Sequence, residues 1–147
     1  MNRKRPTAGD RELVATRAKG RCEYCQSPAK FATQSFAIEH ILPTSRGGKT
    51  VMDNLALACP GCNGHKYDKT EAPDPVDGGL VTLFNPRQQQ WLDHFKWSED
   101  FSHVVGLTPT GRATVSVLNM NRPGIVNIRL ALFAIGSHPP PGNRESP

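Results

Sequence analysis

From Phe36 to Leu42 the side chains would alternate between two faces of a strand, with Phe36, Ile38, His40 and Leu42 on one face and Ala37, Glu39 and Ile41 on the other. A period of two residues is typical of a half-buried strand. Pro43 would end this strand, because proline has no N–H to donate to a sheet. The pattern therefore predicts a short strand that carries a histidine and an acidic residue side by side.

The segments on either side of this strand have patterns of other kinds. Residues 10–19 are rich in helix formers and are followed by Gly20, which predicts a short helix. Residues 45–49 have the composition of a loop. Residues 53–58 could form a paired strand or a short turn of helix, and periodicity does not distinguish these two.

A segment rich in Pro, Asp and Gly follows and is typical of a linker. Beyond it the patterns predict a helix that opens at Asn85-Pro86 and a strand over 104–107, then a strand or helix over 110–118 and a helix over 122–133. The last residues are too polar and proline-rich to pack. The expected organisation is a first unit over 1–71, a linker over 72–79, a mostly helical C-terminal extension packing on that unit over 80–136, and a disordered tail over 137–147.

Size and charge narrow the functional class. A chain of 147 residues fits one compact domain with at most a small appendage. Its net charge of +5 favours a polyanionic partner such as DNA or RNA, although an excess of this size also serves solubility alone. No segment approaches the roughly 18 apolar residues that span a bilayer, so we expect a cytoplasmic protein without a membrane partner.

All four cysteines lie in two Cys-x-x-Cys pairs, Cys22 with Cys25 and Cys59 with Cys62. The two-residue spacer lets both sulfurs of a pair face one ion, and four thiolates suit a tetrahedral structural Zn²⁺. A small unit buries little apolar area, so this ion would supply folding energy directly.

The residues between and just after the cysteine pairs suit phosphodiester hydrolysis. The imidazole of His40 can take a proton from water near neutral pH. The oxygens of Glu39 and Asn63 are hard ligands for a catalytic Mg²⁺ or Mn²⁺. Since neighbours on a regular strand point to opposite faces, Glu39 and His40 can share a site only if the strand bends there.

The runs Cys-Glu-Tyr-Cys, Ile-Glu-His-Ile-Leu-Pro-Thr-Ser-Arg-Gly-Gly and Asp-Asn-Leu-Ala-Leu-Ala-Cys-Pro-Gly-Cys-Asn together resemble the HNH endonuclease family. The resemblance covers about residues 10 to 70 and implies an α+β class with a ββα-metal core around one catalytic cation. It also implies that His40 is the general base, that Glu39 and Asn63 hold the cation, and that Asn54 holds the imidazole by hydrogen bonding. Asn63 stands where the family often has its last His, as in the HNN variant.

Several of these residues also have a purely structural interpretation. His40 could be a core histidine, and Asn54 and Asn63 could cap a turn and a helix. The candidate phosphate contacts could simply be solvated cations, and they are Arg46, Lys49 and Lys66.

The predicted function is a metal-dependent HNH endonuclease that cleaves DNA. The alternatives are a non-catalytic zinc-knuckle module that binds DNA and an RNA-directed nuclease or toxin. The oligomeric state stays open, with a monomer favoured.

Overall fold

The structure, a computed structural model, describes residues 5–142 and divides them into two compact units. Unit 1 contains residues 5–70 together with Asn85–Gln88. Unit 2 contains Glu71–Phe84 and the described residues from Gln89 onward. None of the helices within residues 5–142 has the length and apolar character needed to cross a membrane.

Unit 1 begins with helix α1, Ala8–Arg17. Thr7 caps it, since its hydroxyl accepts the Asp10 N–H at 3.1 Å while the Asp10 carboxylate accepts the Thr7 N–H at 2.9 Å. The helix thus lies two residues earlier than its predicted position. Gly20 follows it with φ at +69°, a conformation that glycine adopts without steric cost.

The centre of unit 1 is an antiparallel pair of strands followed by a helix. Strand β1, Ala37–His40, pairs with strand β2, Leu55–Ala58, and His40 lies opposite Leu55. All four residues of β2 are buried. Helix α2, Pro60–Lys66, follows directly, with Cys59 as its N-cap. The predicted α+β class with a ββα arrangement is confirmed, and the open choice over residues 53–58 resolves as a short 3₁₀ turn, Met52–Asn54, before the strand.

Unit 2 contains two further antiparallel hairpins and three helices, each hairpin strand being three residues long. Aromatic and aliphatic side chains such as Phe84, Phe95 and Leu118 form its core. In chain order its elements are β3, Glu71–Pro73; β4, Leu80–Thr82; α3, Trp91–His94; β5, Phe95–Trp97; β6, Val104–Gly106; α4, Pro109–Val117; and α5, Pro123–Ala134.

The predicted linker over 72–79 differs from the structure, where most of this segment belongs to the β3–β4 hairpin. Asp74 is fully buried, and Arg112 donates to its two carboxylate oxygens at 2.9 and 2.7 Å. Gly78 has φ at +76° in the turn, and the Asp77 side chain accepts the Gly79 N–H at 2.8 Å. The turn residues were visible in the sequence, but strands of three residues are too short to show a period.

The predicted helix opening at Asn85-Pro86 is also different. Of residues 85–95, only Trp91–His94 is helical, and the chain becomes a strand at Phe95. Phe95 and Trp97 are buried while Lys96 is exposed, so the period of two outweighs the helical spacing of the aromatic residues. Residues 110–118, left open between strand and helix, fall mainly within α4.

The tail predicted to be disordered over 137–147 is packed where the structure describes it. His138 is 3% exposed, its ring lies edge-on to Trp97 with centroids 4.5 Å apart, and its Nε2 is 2.8 Å from the carbonyl oxygen of Phe101. Aromatic contact and hydrogen bonding, including the Ser137 N–H to the carbonyl oxygen of Leu132 at 2.8 Å, therefore hold a segment whose composition is that of a mobile chain. Residues 143–147, like the basic residues Arg3 and Lys4, lie outside the described residues.

Candidate metal centre and catalytic site

The four cysteines come together as the spacing predicts. Their Sγ atoms all lie within 4.8 Å of one another, and every one of the four residues is buried. Tetrahedral zinc with bonds of roughly 2.3 Å to sulfur requires sulfur atoms roughly 3.8 Å apart. The Sγ atoms of Cys25 and Cys59 are 3.6 Å apart, which fits this requirement. The set can therefore hold a metal ion, and four thiols favour zinc.

Backbone N–H groups hold two of the four sulfur atoms in place. The N–H groups of Cys25 and Cys62 each donate to the sulfur three residues earlier, Cys22 and Cys59, at 3.4 Å. Hydrogen bonds from the other three thiols lower the pKa of Cys59, whereas burial raises the pKa of Cys22. A bound cation would favour the thiolate at all four positions.

Strand β1 places Glu39 in the interior. Glu39 is 5% exposed, and its Oε2 accepts a hydrogen bond from the Tyr24 hydroxyl at 2.6 Å. Its Oε1 forms an ion pair with Lys66, whose Nζ also donates to the carbonyl oxygen of Ile41 at 3.0 Å. Burial raises the pKa of Glu39, and the Lys66 ammonium opposes that shift.

This arrangement does not match the predicted cation site. A ligand for hydrated magnesium has to be reachable from solvent, whereas both carboxylate oxygens of Glu39 are engaged by Tyr24 and Lys66. Asn63 lies half-exposed on α2, and its side chain has no hydrogen-bond partner within residues 5–142. The residues as placed therefore do not fit a divalent cation held by Glu39 and Asn63 together. Lys66 is itself 2% exposed, so in this geometry it cannot contact a phosphate.

His40, at the end of β1, makes its contact elsewhere. Its Nε2 lies 2.8 Å from the hydroxyl oxygen of Thr50, a residue that is 3% exposed. Burial lowers the pKa of His40, which favours the neutral imidazole that a general base requires. Sequence reasoning did not find Thr50, since a hydroxyl residue at the end of a loop belongs to no metal or catalytic spacing.

The hydrogen bonds of Asn54 go to the loop backbone and not to the imidazole of His40, in contrast to the role that the resemblance implied. Its Oδ1 accepts the Leu42 N–H at 2.8 Å, and its Nδ2 donates to the carbonyl oxygens of Leu42 and Lys49 at 3.0 and 2.9 Å. The side chain thus closes the loop between these two residues. Gly48 is part of the same closure, because a Cβ there would lie 1.7 Å from the Leu42 carbonyl oxygen.

The loop from Leu42 to Lys49 carries two of the predicted phosphate contacts. Arg46 and Lys49 are both exposed, and Arg46 Nε donates to the carbonyl oxygen of Asp68 at 3.0 Å. Thr50 comes directly after Lys49, so the exposed cations Arg46 and Lys49 lie within a few residues of the residue that contacts His40. The structure thus places Arg46, Lys49, Thr50 and Asn54 on the connection between β1 and β2, and it keeps Glu39 and Lys66 in the interior.

Comparison with known proteins matches part of the chain to a family. The family model described as HNH endonuclease matches residues 22–69, a segment that begins at the first cysteine and ends just after α2. No curated protein and no solved structure matches the chain. The matched segment contains the four cysteines, His40, Asn54 and Asn63, and it indicates a nuclease or nucleic-acid-binding protein. Residues 22–69 are therefore similar to the HNH endonuclease family over about a third of the chain.

Proposed function

We propose that this protein is an endonuclease that hydrolyses DNA phosphodiester bonds with His40 as the general base. The observation that carries the proposal is the state of His40 within the HNH domain. Its ring is half-buried, its pKa is lowered, and one of its nitrogens is held by a buried hydroxyl. An imidazole in this state is neutral and oriented, as proton abstraction from water requires.

The chemical step involves one water molecule. Its proton passes to the imidazole while its oxygen bonds to phosphorus, and the bond from phosphorus to the leaving oxygen then breaks. The leaving oxygen takes up a proton from solvent, and the imidazolium of His40 returns its proton to solvent, which regenerates the base. Arg46 and Lys49 are exposed cations on the adjoining loop, and they would hold the phosphates on either side of the scissile bond.

The four cysteines have a structural task in this proposal. Zinc bound by four sulfurs has no open coordination position, so it cannot activate water. The ion would instead tie the segment before β1 to the start of α2. The bound ion would thus fix the segment before β1 and the start of α2 relative to the strand that carries His40.

A catalytic Mg²⁺ or Mn²⁺ needs a different arrangement of Glu39. Together with Asn63, Glu39 would hold such an ion only after Lys66 releases the carboxylate. The ion would neutralise charge on the phosphate. The proton transfer from water to His40 does not pass through this ion.

The test is nicking of a supercoiled plasmid by the zinc-loaded full chain with Mg²⁺, with Mn²⁺ and with neither. We expect His40→Ala to lower the nicking rate on the order of 10²–10⁴-fold, the usual contribution of a general base. The matched control is His65→Ala, since His65 is exposed on α2 with its Nδ1 2.7 Å from the Gly61 carbonyl oxygen. Full activity in His40→Ala would refute the assignment. Parallel digestion of single- and double-stranded DNA and RNA identifies the substrate.

Tyr24 and Lys66 engage both carboxylate oxygens of Glu39, so Glu39 is not available to a catalytic cation. This arrangement favours a second candidate function, a zinc-knuckle module that binds DNA without cleaving it. Such a module needs only exposed cations such as Arg46 and Lys49 and a zinc ion held by the four cysteines. Salt-dependent DNA binding with no turnover in any of the cations would support this candidate over the nuclease.

A further inference from the structure

We propose that Thr50 is the positioning residue for the His40 imidazole. This inference rests on the proposed function of His40 as the base. It assigns to a loop hydroxyl the task that the family resemblance implied for Asn54.

The contact has the geometry of a specific hydrogen bond. Thr50 Oγ1 lies 2.8 Å from His40 Nε2, and Thr50 is 3% exposed, so water cannot readily replace the hydroxyl. The β-branched threonine side chain has few χ1 rotamers, which fixes the position of its oxygen. The ring torsion of histidine is broad by comparison. One firm hydrogen bond therefore selects the ring orientation.

The same contact determines which nitrogen can act as base. If Nε2–H donates to Thr50 Oγ1, the lone pair of Nδ1 is free to take the proton from water. If the threonine hydroxyl instead donates to Nε2, the proton of the neutral ring sits on Nδ1 and neither nitrogen can accept another without losing that bond. A working base requires the first arrangement. Thr50 thus acts as an acceptor and holds the Nε2–H tautomer.

Asn54 acts one step further from the ring. Its amide fixes Leu42 and Lys49, the two ends of the loop, and Thr50 follows Lys49 directly. Gly48 permits this closure because a larger residue would collide with the Leu42 carbonyl oxygen. The Asn54 amide therefore fixes the loop backbone, the backbone fixes the position of the Thr50 hydroxyl, and that hydroxyl orients the His40 ring.

Two variants separate the hydroxyl from the shape of the side chain. Thr50→Val keeps the shape and removes the acceptor, whereas Thr50→Ser keeps the hydroxyl. We expect Thr50→Val to lower kcat for nicking by about 10–100-fold, as for other groups that orient a functional histidine. KM should change little, because the buried hydroxyl does not reach DNA. Thr50→Ser should retain most of the activity, which a purely steric role would not require.

The decisive readout needs no substrate. Nitrogen-15 NMR of the His40 ring in the zinc-loaded full chain, at a pH where the ring is neutral, should show the Nε2–H tautomer in the wild type and in Thr50→Ser, and a mixture in Thr50→Val. An Nδ1–H tautomer in the wild type would overturn the inference, as would unchanged tautomer and kcat in Thr50→Val. An inactive wild type with the expected tautomers would instead overturn the proposed function and leave Thr50 as the group that fixes the ring.

Discussion

Lys66 brings an ammonium group into the interior of unit 1, where only Glu39, the Ile41 carbonyl oxygen and the surrounding side chains can compensate its charge. Moving two ions out of water costs several kcal/mol each, and their mutual attraction offsets this only when the remaining donors and acceptors are satisfied. The Tyr24 hydroxyl provides one such partner. The three side chains therefore stabilise unit 1 only as a complete set.

Replacing Lys66 with methionine tests this dependence at the level of single residues. Lys66→Met should lower the free energy of unfolding by about 3–5 kcal/mol, because it leaves the Glu39 carboxylate buried without a countercharge. Lys66→Met combined with Glu39→Gln should recover much of that loss. The measurement is guanidinium unfolding of the zinc-loaded protein.

Lys69→Met is the matched control, since Lys69 is exposed on the chain just after α2. Its substitution should change stability by less than about 0.5 kcal/mol. Equal losses at Lys66 and Lys69 would show that the buried ion pair does not contribute in this way.

Among the elements, the loop between β1 and β2 is rigid because the Asn54 side chain makes three hydrogen bonds across it. Gly48→Ala should disrupt this closure, since the added Cβ would lie 1.7 Å from a backbone oxygen that cannot move freely. We expect a lower melting temperature and weaker nicking. The control is Gly64→Ala on α2, where an added Cβ meets nothing within 4 Å and alanine is the better helix former.

Thermal unfolding of the two alanine variants gives the comparison directly. Gly64→Ala should melt at or above the wild-type temperature and Gly48→Ala below it. If Gly48→Ala melts like the wild type, the Asn54 amide does not close the loop.

The β3–β4 hairpin of unit 2 depends on the pairing of Asp74 with Arg112. Hydrogen bonds from that guanidinium lower the pKa of Asp74 in the folded protein. A lowered pKa means that the folded state binds fewer protons, so the stabilisation is fully present above the ordinary aspartate pKa of about 3.9 and is lost as the pH falls through the lowered value.

Asp74→Asn should therefore be less stable than the wild type at neutral pH, and the difference should shrink as the pH falls below about 4. Both tryptophans, Trp91 and Trp97, belong to unit 2, so their fluorescence follows its unfolding. Asp93→Asn, at an exposed position on α3, is the control. A stability difference that does not depend on pH would contradict the ion-pair explanation.

Across the whole molecule, the chain divides its stabilising groups between the two units. All four cysteines lie in unit 1 and both tryptophans lie in unit 2. Because a small unit with two short strands buries little apolar area, we expect a zinc ion held by the four cysteines to contribute to its folding free energy. Unit 2 has a core of its own, including Phe84, Phe95 and Leu118.

Zinc removal from the full chain should therefore unfold unit 1 selectively. After treatment with a chelator, backbone amide NMR signals from β1, β2 and α2 should lose their dispersion, while the tryptophan fluorescence of unit 2 should stay native. Metal analysis should give one zinc per chain before treatment, and added zinc should restore the spectrum. Dispersed unit 1 signals in protein shown to be metal-free would contradict the structural role.

The elements with strong local signals were predictable. The alternation around His40 predicted β1, the cysteine spacing predicted the candidate metal centre, and the ordered motif predicted the match of residues 22–69 to the HNH endonuclease family. Three-residue strands such as β3 and β5 were not predictable, because a period of two needs more residues to be distinguished from other patterns.

The order of residues along the chain already decides which groups a short stretch can bring together, such as the thiols of each cysteine pair and the opposite faces of Glu39 and His40 on one strand. The partners of these groups come from the packing of distant segments. Lys66 pairs with Glu39, and Thr50 contacts His40. Asn54 closes the loop from Leu42 to Lys49. Buried polar groups have to find partners, and which group reaches a buried carboxylate or imidazole depends on how the strands and the helix pack.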